Sequence, residues 1–410
     1  MAVPFALYVA TVWRYSANVP YWDDFSVILR PVATVFATGD WREDLRLLFM
    51  PNAGHLPLLT RLVAVLQVWW GGAVDFRQSI LLANTGWLLA VVLLLAHARR
   101  QWRLSWPALL PVPLLMLSVT HWESMDFTTP AWQMYWGSTF LPLACLLAAV
   151  RGRWLLAALC HAGALFLSSG ALALLPLVTA YGLYRGQWHG AMLFALVAGI
   201  VTGGFLWLNP PQAQQVVLPS LAVTAHFIPA FMGNLVGTGT WYLESLAGLH
   251  GVLGLLVIVA GLRVLQRARA TAVDDSAALV FLYVMALAVM AVYLRGGSYP
   301  FVVSRYSPFA LLAVACLYCA LAAEWQARTL RFQQIALALA ITVSAGLWIY
   351  SYASCTRVLA YNHTMRLDIA RYYARHGELD RKLLWDPAYG ETVLREAAAA
   401  GVFDPAVWER

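Results

Sequence analysis

The chain has 410 residues, 61% of them hydrophobic and only 11% charged, with a mean hydropathy of +0.67 and a net charge of +7. A soluble domain carries about 45–50% apolar and about 25% charged residues, so burial in water cannot hide this much apolar surface. The composition excludes a soluble enzyme, a disordered chain, a coiled coil and a nucleic-acid module. It leaves an all-α polytopic membrane protein, because the apolar segments are continuous and lack the alternation of barrel strands. The five cysteines lie in or at the end of apolar runs and form no pairing framework, so they read as small buried hydrophobes.

In chain order the apolar stretches predict eleven spans: 1–16, 79–98, 105–120, 137–150, 154–167, 171–184, 190–208, 248–264, 277–294, 308–323 and 335–352. The first has 13 residues before Arg14 and no basic flank, which predicts a helix that normally begins earlier. It also lacks the basic flank and cleavage site of a signal peptide. Segment 56–70 holds Arg61 and Gln67 and reads as a helix lying at the outer interface. Segment 154–184 has Arg on both flanks and Ser168-Ser169-Gly170 in the middle, which predicts a hairpin of two short helices.

Orientation follows the basic residues of short loops. The loops after spans 2, 4, 6, 8 and 10 carry eleven Arg against Asp274, Asp275 and Glu324; the rest of the chain holds 16 basic and 17 acidic residues. The whole excess lies on one face, which predicts that this face, with the N-terminus, is cytoplasmic and the C-terminus outside. Two domains follow: a membrane domain, 1–352, with a long first outer loop at 17–78, and a small outer tail, 353–410.

Polar residues gather in the predicted outer segments. Just after the first span stands Pro20-Tyr21-Trp22-Asp23-Asp24. Adjacent residues point in different directions, so the two carboxylates cannot both serve one atom. One of them suits a catalytic base at the membrane surface; the pair equally suits capping of the helix that follows. Pro51-Asn52-Ala53-Gly54-His55-Leu56-Pro57 builds a rigid turn displaying Asn52 and His55, with Arg61 able to converge from the helix beyond. The second outer loop offers Glu123 and Gln133 among aromatic residues, a pattern that serves sugar stacking or the interfacial belt alike. A late outer segment carries Arg295, Tyr299, Arg305 and Tyr306, with Ser307 as the expected cap and Pro308 at the first position of the next span. A cation beside a helix N-terminus is electrostatically awkward unless an anion bridges the two, so Arg305 is a candidate phosphate ligand.

These pieces resemble the GT-C superfamily of membrane glycosyltransferases. More narrowly, Pro20-Tyr21-Trp22-Asp23, Asn52-Ala53-Gly54-His55 with Arg61-Leu62, and Arg305-Tyr306-Ser307-Pro308 resemble, in their order, motifs of uncharacterised bacterial GT-C-like proteins. The second motif departs from that pattern: its Glu and Arg are replaced here by Ala53-Gly54-His55-Leu56. The resemblance implies a GT-C-like fold in a bacterial inner membrane and a periplasmic C-terminus. It implies an enzyme that moves sugar from a polyprenyl-phosphate carrier to a glycan, lipid or protein acceptor. In that scheme Asp23 is the base, supported by Asp24. Tyr21, Trp22, Asn52, His55, Arg61, Glu123, Gln133, Arg295, Tyr299, Arg305 and Tyr306 bind substrate. No nucleotide loop is seen, and no His, Cys and carboxylate cluster has metal-ligand spacing, so neither a metal nor another cofactor is expected. A transporter or flippase would place ionisable groups in mid-span, where few are found. A polymerase or ligase of lipid-linked glycans would share the substrate and need large outer loops.

Overall fold

In the computed structural model the described residues are 1–210, 219–236, 244–270, 275–295 and 302–409; of 244–247, 269–270, 294–295 and 409 only the backbone is described. Among the described residues there are helices and no strands; the sole bridge joins Asn52 to His55.

Seven helices are long and apolar enough to cross a membrane. They are α5 (Phe76–Arg100), α8 (Thr128–Val150), α11 (Trp188–Leu208), α13 (Glu244–Ala270), α14 (Ser276–Arg295), α15 (Ser307–Trp325) and α16 (Leu330–His376). They coincide with seven of the eleven expected spans. The other four are short, with physical causes that the hydropathy profile ignores. The first, α1 (Ala2–Tyr15), has 14 residues. The expected span 105–120 is α6 (Trp106–Met116), interrupted at Leu110, because Pro107, Pro111 and Pro113 remove backbone donors. Segment 154–184 forms α9 (Trp154–Leu165) and α10 (Ser169–Tyr184), parted where Ser168 Oγ accepts from Gly170 N. A Cβ on Gly182, late in α10, would strike Trp154 at the start of α9, so the two helices double back as a hairpin.

Between the spans lie α2 (Phe25–Thr38), α3 (Trp41–Leu48), α4 (Leu58–Gly71), α7 (Trp122–Met125), α12 (Leu221–Met232) and α17 (Pro387–Ala399). The segment expected at the interface is helix α4, which packs on α2 and α3 and leaves Trp69 and Trp70 72% and 84% exposed.

Contacts between loops sort the helix ends into two sets. At one end His97 meets Arg151 and Ser276, Arg185 meets Asp275, Arg263 and Arg267 meet Glu324, and Gln326 reaches Arg103. These are the five loops predicted to be cytoplasmic. At the other end Asn52 meets Ser26, His55 meets Ser169, Gly54 meets Asn209, Glu123 meets Arg305 and Asp126 meets Arg366.

Helix α16 changes the domain picture. It has 47 residues, about 70 Å at 1.5 Å per residue, more than twice a hydrocarbon core of about 30 Å. The expected boundary at 352 falls inside it. Its far half carries Ile369 and Tyr373 into a second core shared with segment 17–78, where Phe25, Val32 and Phe76 meet Leu383, Leu394 and Phe403. Backbone bonds stitch the two segments together, from Trp22 N to Leu383 O (3.1 Å) and from Val74 N to Val402 O (2.8 Å). Segment 17–78 and the tail are thus one folded unit rather than a loop and an appendage.

Candidate functional site

The chain leaves α1 in an extended run that ends at Trp22, whose φ of 46° lies in the left-handed region. This turn sends the two adjacent carboxylates apart. Asp23 is exposed, while Asp24 is buried at 1% exposure. One oxygen of Asp24 accepts from Thr129 N (3.0 Å) and Thr129 Oγ1 (2.7 Å), and the other from Tyr21 N (3.2 Å). Asp24 makes no cap bond to its own helix. It caps α8 instead, where an anion is favoured by the free N–H groups and the helix dipole.

Burial pushes the Asp24 carboxyl up to about 7, against the lowering pull of the Thr129 and Tyr21 donors. A carboxyl raised in the folded state holds its proton there while the unfolded chain has already lost it. Stability from this group is therefore present at low pH and is lost as pH rises from the ordinary carboxylate range to about 7. Asp24→Asn keeps an acceptor for Thr129 and removes the charge. Melting temperature followed from pH 4 to 8 should fall less steeply in Asp24→Asn than in the parent. Parallel curves would show that Asp24 is not the titrating group.

Arg305 lies in a single 3-10 turn, Ser304–Tyr306, that leads into α15; the helix begins at Ser307, with Pro308 second, one place earlier than expected. The anion that its position called for is present within the protein. Glu123, from α7, meets Arg305 Nη1 at 3.3 Å and accepts from Arg305 N (3.4 Å) and Ser304 Oγ (3.3 Å). Glu123 is thus a partner of Arg305. The charges acting on Arg305 are Glu123 foremost among the carboxylates and then Asp23, which places the exposed carboxylate within electrostatic reach of the guanidinium. Tyr306 packs against Phe231 and Phe309, with the Arg305 guanidinium 6.0 Å from its ring centroid.

Behind this pair lies one that the motifs did not reveal. Arg366 on α16 and Asp126, each with a side chain 2% exposed, form an ion pair at 2.9 Å, and Arg366 Nη1 also donates to the Asp126 carbonyl. The Arg366 guanidinium lies 4.2 Å from the centroid of the Tyr21 ring, whose edge meets Phe127. Burial pushes Asp126 up to about 6 despite Arg366, with Glu123 adding to the rise. Burial likewise raises the Tyr21 hydroxyl, opposed by Arg366. No local pattern points to Arg366, because the partners are 240 residues apart.

The predicted turn at 52–55 is real. Asn52 and His55 exchange two backbone bonds of 2.9 Å around Ala53 (φ 46°) and Gly54 (φ 80°), the geometry of a tight hairpin turn. Ser26 Oγ reaches Asn52 Oδ1 at 3.5 Å, so this turn adjoins the one bearing Asp23. His55 Nδ1 accepts from Ser169 N at 3.2 Å, which leaves the proton of a neutral ring on Nε2.

Arg61 does not join the site. It is fully buried and donates to the carbonyls of Val27 (2.8 Å), Leu47 (3.1 Å), Leu48 (3.0 Å) and Met50. Desolvation pushes it down to about 10. Its role is to tie the end of α3 to α2, and it is unavailable to substrate. Gln133 is half-buried on α8, away from the contacts that join Glu123 to Arg305. The Arg295 side chain and Tyr299 lie outside the described residues.

Tyr21, Trp22, Asp23, Asn52, Glu123 and Arg305 thus stand at one end of the bundle, with Asp24, Asp126 and Arg366 supporting them. An exposed carboxylate near an arginine can accept a proton beside a bound anion. Among the described residues no group of three or more His, Cys, Asp or Glu is placed to hold a metal ion. Neither a protein-family model, nor a curated protein, nor a solved structure matches the chain.

Proposed function

We propose that the protein is an inverting glycosyltransferase of GT-C type, acting on a polyprenyl-phosphate sugar at the outer face of a bacterial inner membrane. The observation that carries this reading is the exposed Asp23, held in the turn before α2 by the buried Asp24 and within electrostatic reach of Arg305. In the proposed reaction Asp23 takes the proton of an acceptor hydroxyl. That oxygen bonds to the anomeric carbon, the carbon–phosphate oxygen bond breaks, and the lipid phosphate leaves with the electron pair. Arg305 and the free N–H groups at the start of α15 stabilise the departing phosphate. Glu123 orients Arg305 through Nη1, and the Arg305 side chain, 25% exposed, meets the donor. Trp22, 41% exposed, offers its ring to the sugar. In this reading α1, α6 and the α9–α10 hairpin complete the membrane domain with the seven long helices, and the folded outer unit receives the acceptor.

The test uses purified protein in liposomes, a polyprenyl-phosphate sugar as donor, and release of the lipid phosphate as readout. Arg305→Lys keeps the charge and loses the planar fork, so donor use should weaken by about 1–3 kcal/mol. Glu123→Gln removes the orienting charge and should weaken it in the same direction. Parental turnover in both Arg305→Lys and Arg305→Ala would make Arg305 an interfacial anchor and remove the phosphate site. Absence of phosphate release from every polyprenyl-phosphate sugar offered would sink the reading as a whole.

A further inference from the structure

At the opposite end of the bundle from Asp23, a half-open groove of about 600 Å³ lies between α13, α15 and the start of α16. Its walls divide by chemistry. Leu256 and Val259 of α13, Leu321 of α15 and Phe332 of α16 make an apolar trough along the helices. Leu256 and Val259 are 63% and 64% exposed, so this trough opens outward rather than into the core. The rim at the helix ends is basic. Arg263 and Arg267 are one turn apart on one face of α13, and both meet the single carboxylate of Glu324, at 2.9 and 2.6 Å. Arg328 lines the same rim. Among the described residues lining the groove, two arginines, Arg263 and Arg328, stand beside one carboxylate, an excess of one positive charge.

The depth of the rim is fixed by α15. Arg305 precedes this helix and Trp325 ends it, 19 residues or about 28 Å later, close to one hydrocarbon thickness. Trp325 lines the groove beside Arg328, at the level where interfacial aromatics sit. A basic rim at one membrane interface, above an apolar trough that runs toward the midplane, has the polarity of a phospholipid: phosphate at the rim, acyl chains in the trough.

We propose that this groove is a binding site for an anionic phospholipid of the leaflet opposite the Asp23 site, its headgroup phosphate held by Arg263 and Arg328. Charge complementarity selects the anionic class, since a zwitterionic headgroup would bring a cation to a rim already in excess of positive charge. Glu324 holds Arg263 at the groove and sets the net charge of the rim. The site is independent of any catalytic role for Asp23.

The experiment reconstitutes the full chain in nanodiscs of phosphatidylcholine and phosphatidylglycerol, releases it into detergent, and counts retained lipids by native mass spectrometry. The parent should retain phosphatidylglycerol in preference. The double variant Arg263→Gln/Arg328→Gln should lose about thirtyfold of that preference, about 2 kcal/mol for two arginines at about 1 kcal/mol each. Glu324→Gln, which removes the competing carboxylate, should raise the preference. Arg153→Gln, at the same end of the bundle but outside the groove, should leave it unchanged. Equal retention of the two lipids by the parent, or a preference unaltered in both groove variants, overturns the proposal. Tight binding of inorganic phosphate in detergent, with no preference between the lipids, would overturn it in favour of a free-anion site.

Discussion

Asp23→Asn is expected to lower sugar transfer by about a hundredfold to ten-thousandfold, the usual contribution of a general base, and to leave the fold intact. The fold should survive because Asp23 is exposed, while the structural work of this turn is done by its neighbour through Thr129 and Tyr21. The amide keeps the size and one acceptor of the carboxylate and removes its basicity, so binding of the donor should change little. The decisive comparison is with Asp24→Asn, which retains the cap on α8 and should retain most activity at neutral pH. Transfer measured in both variants, beside their melting temperatures, separates chemistry from folding. Full activity in Asp23→Asn with loss in Asp24→Asn would exchange the two roles.

Arg366→Met is expected to destabilise the unit formed by segment 17–78 and the tail by about 3–5 kcal/mol, the range for a buried ion pair deprived of one partner. The loss arises from Asp126, left buried without its counter-charge and with its backbone carbonyl unpaired. The effect should depend on pH. Asp126 is already pushed up to about 6 in the intact protein, and removing Arg366 raises it further, so at pH 5 the carboxyl is neutral and the loss is smaller than at pH 8. A second variant checks the cause. Asp126→Asn combined with Arg366→Met removes both charges and should recover a large part of the loss, so the two substitutions will not add. Denaturant unfolding of the parent, the two single variants and the double variant at pH 5 and 8 gives the full cycle. Additive losses, or a loss independent of pH, would mean that Arg366 acts by packing on the Tyr21 ring rather than by charge.

The two effects meet in one place. Arg366 lies on Tyr21, two residues before Asp23, and Asp126 stands three residues after Glu123, the partner of Arg305. The long helix α16 thereby holds the turn of Asp23 and the loop of Glu123 against each other. A protein weakened at Arg366 should also lose precision at the proposed site, although Arg366 itself touches no substrate.

The sequence by itself determined the helical membrane class, the places of the apolar segments that include the seven long helices, the two sets of loops, the hairpin break at 168–170 and the tight turn at 52–55. These features follow from local quantities: apolar length against bilayer thickness, arginine in short loops, and turn chemistry at glycine and serine. Even the opposed fates of Asp23 and Asp24 followed in part, because neighbours in a chain must point apart. Tertiary structure alone decided which charges meet. Arg61 has the sequence context of a site residue and is instead spent on four backbone carbonyls, since a buried guanidinium takes whatever acceptors the fold brings within reach. Arg305 beside a helix start calls for an anion, and the one the fold brings to it is Glu123, 182 residues away. Arg366 and Asp126, with no motif around either, form the buried pair that joins tail to loop. Periodicity and propensity act over a few residues. Ion pairs and shared cores act through space, and only the folded chain sets those distances.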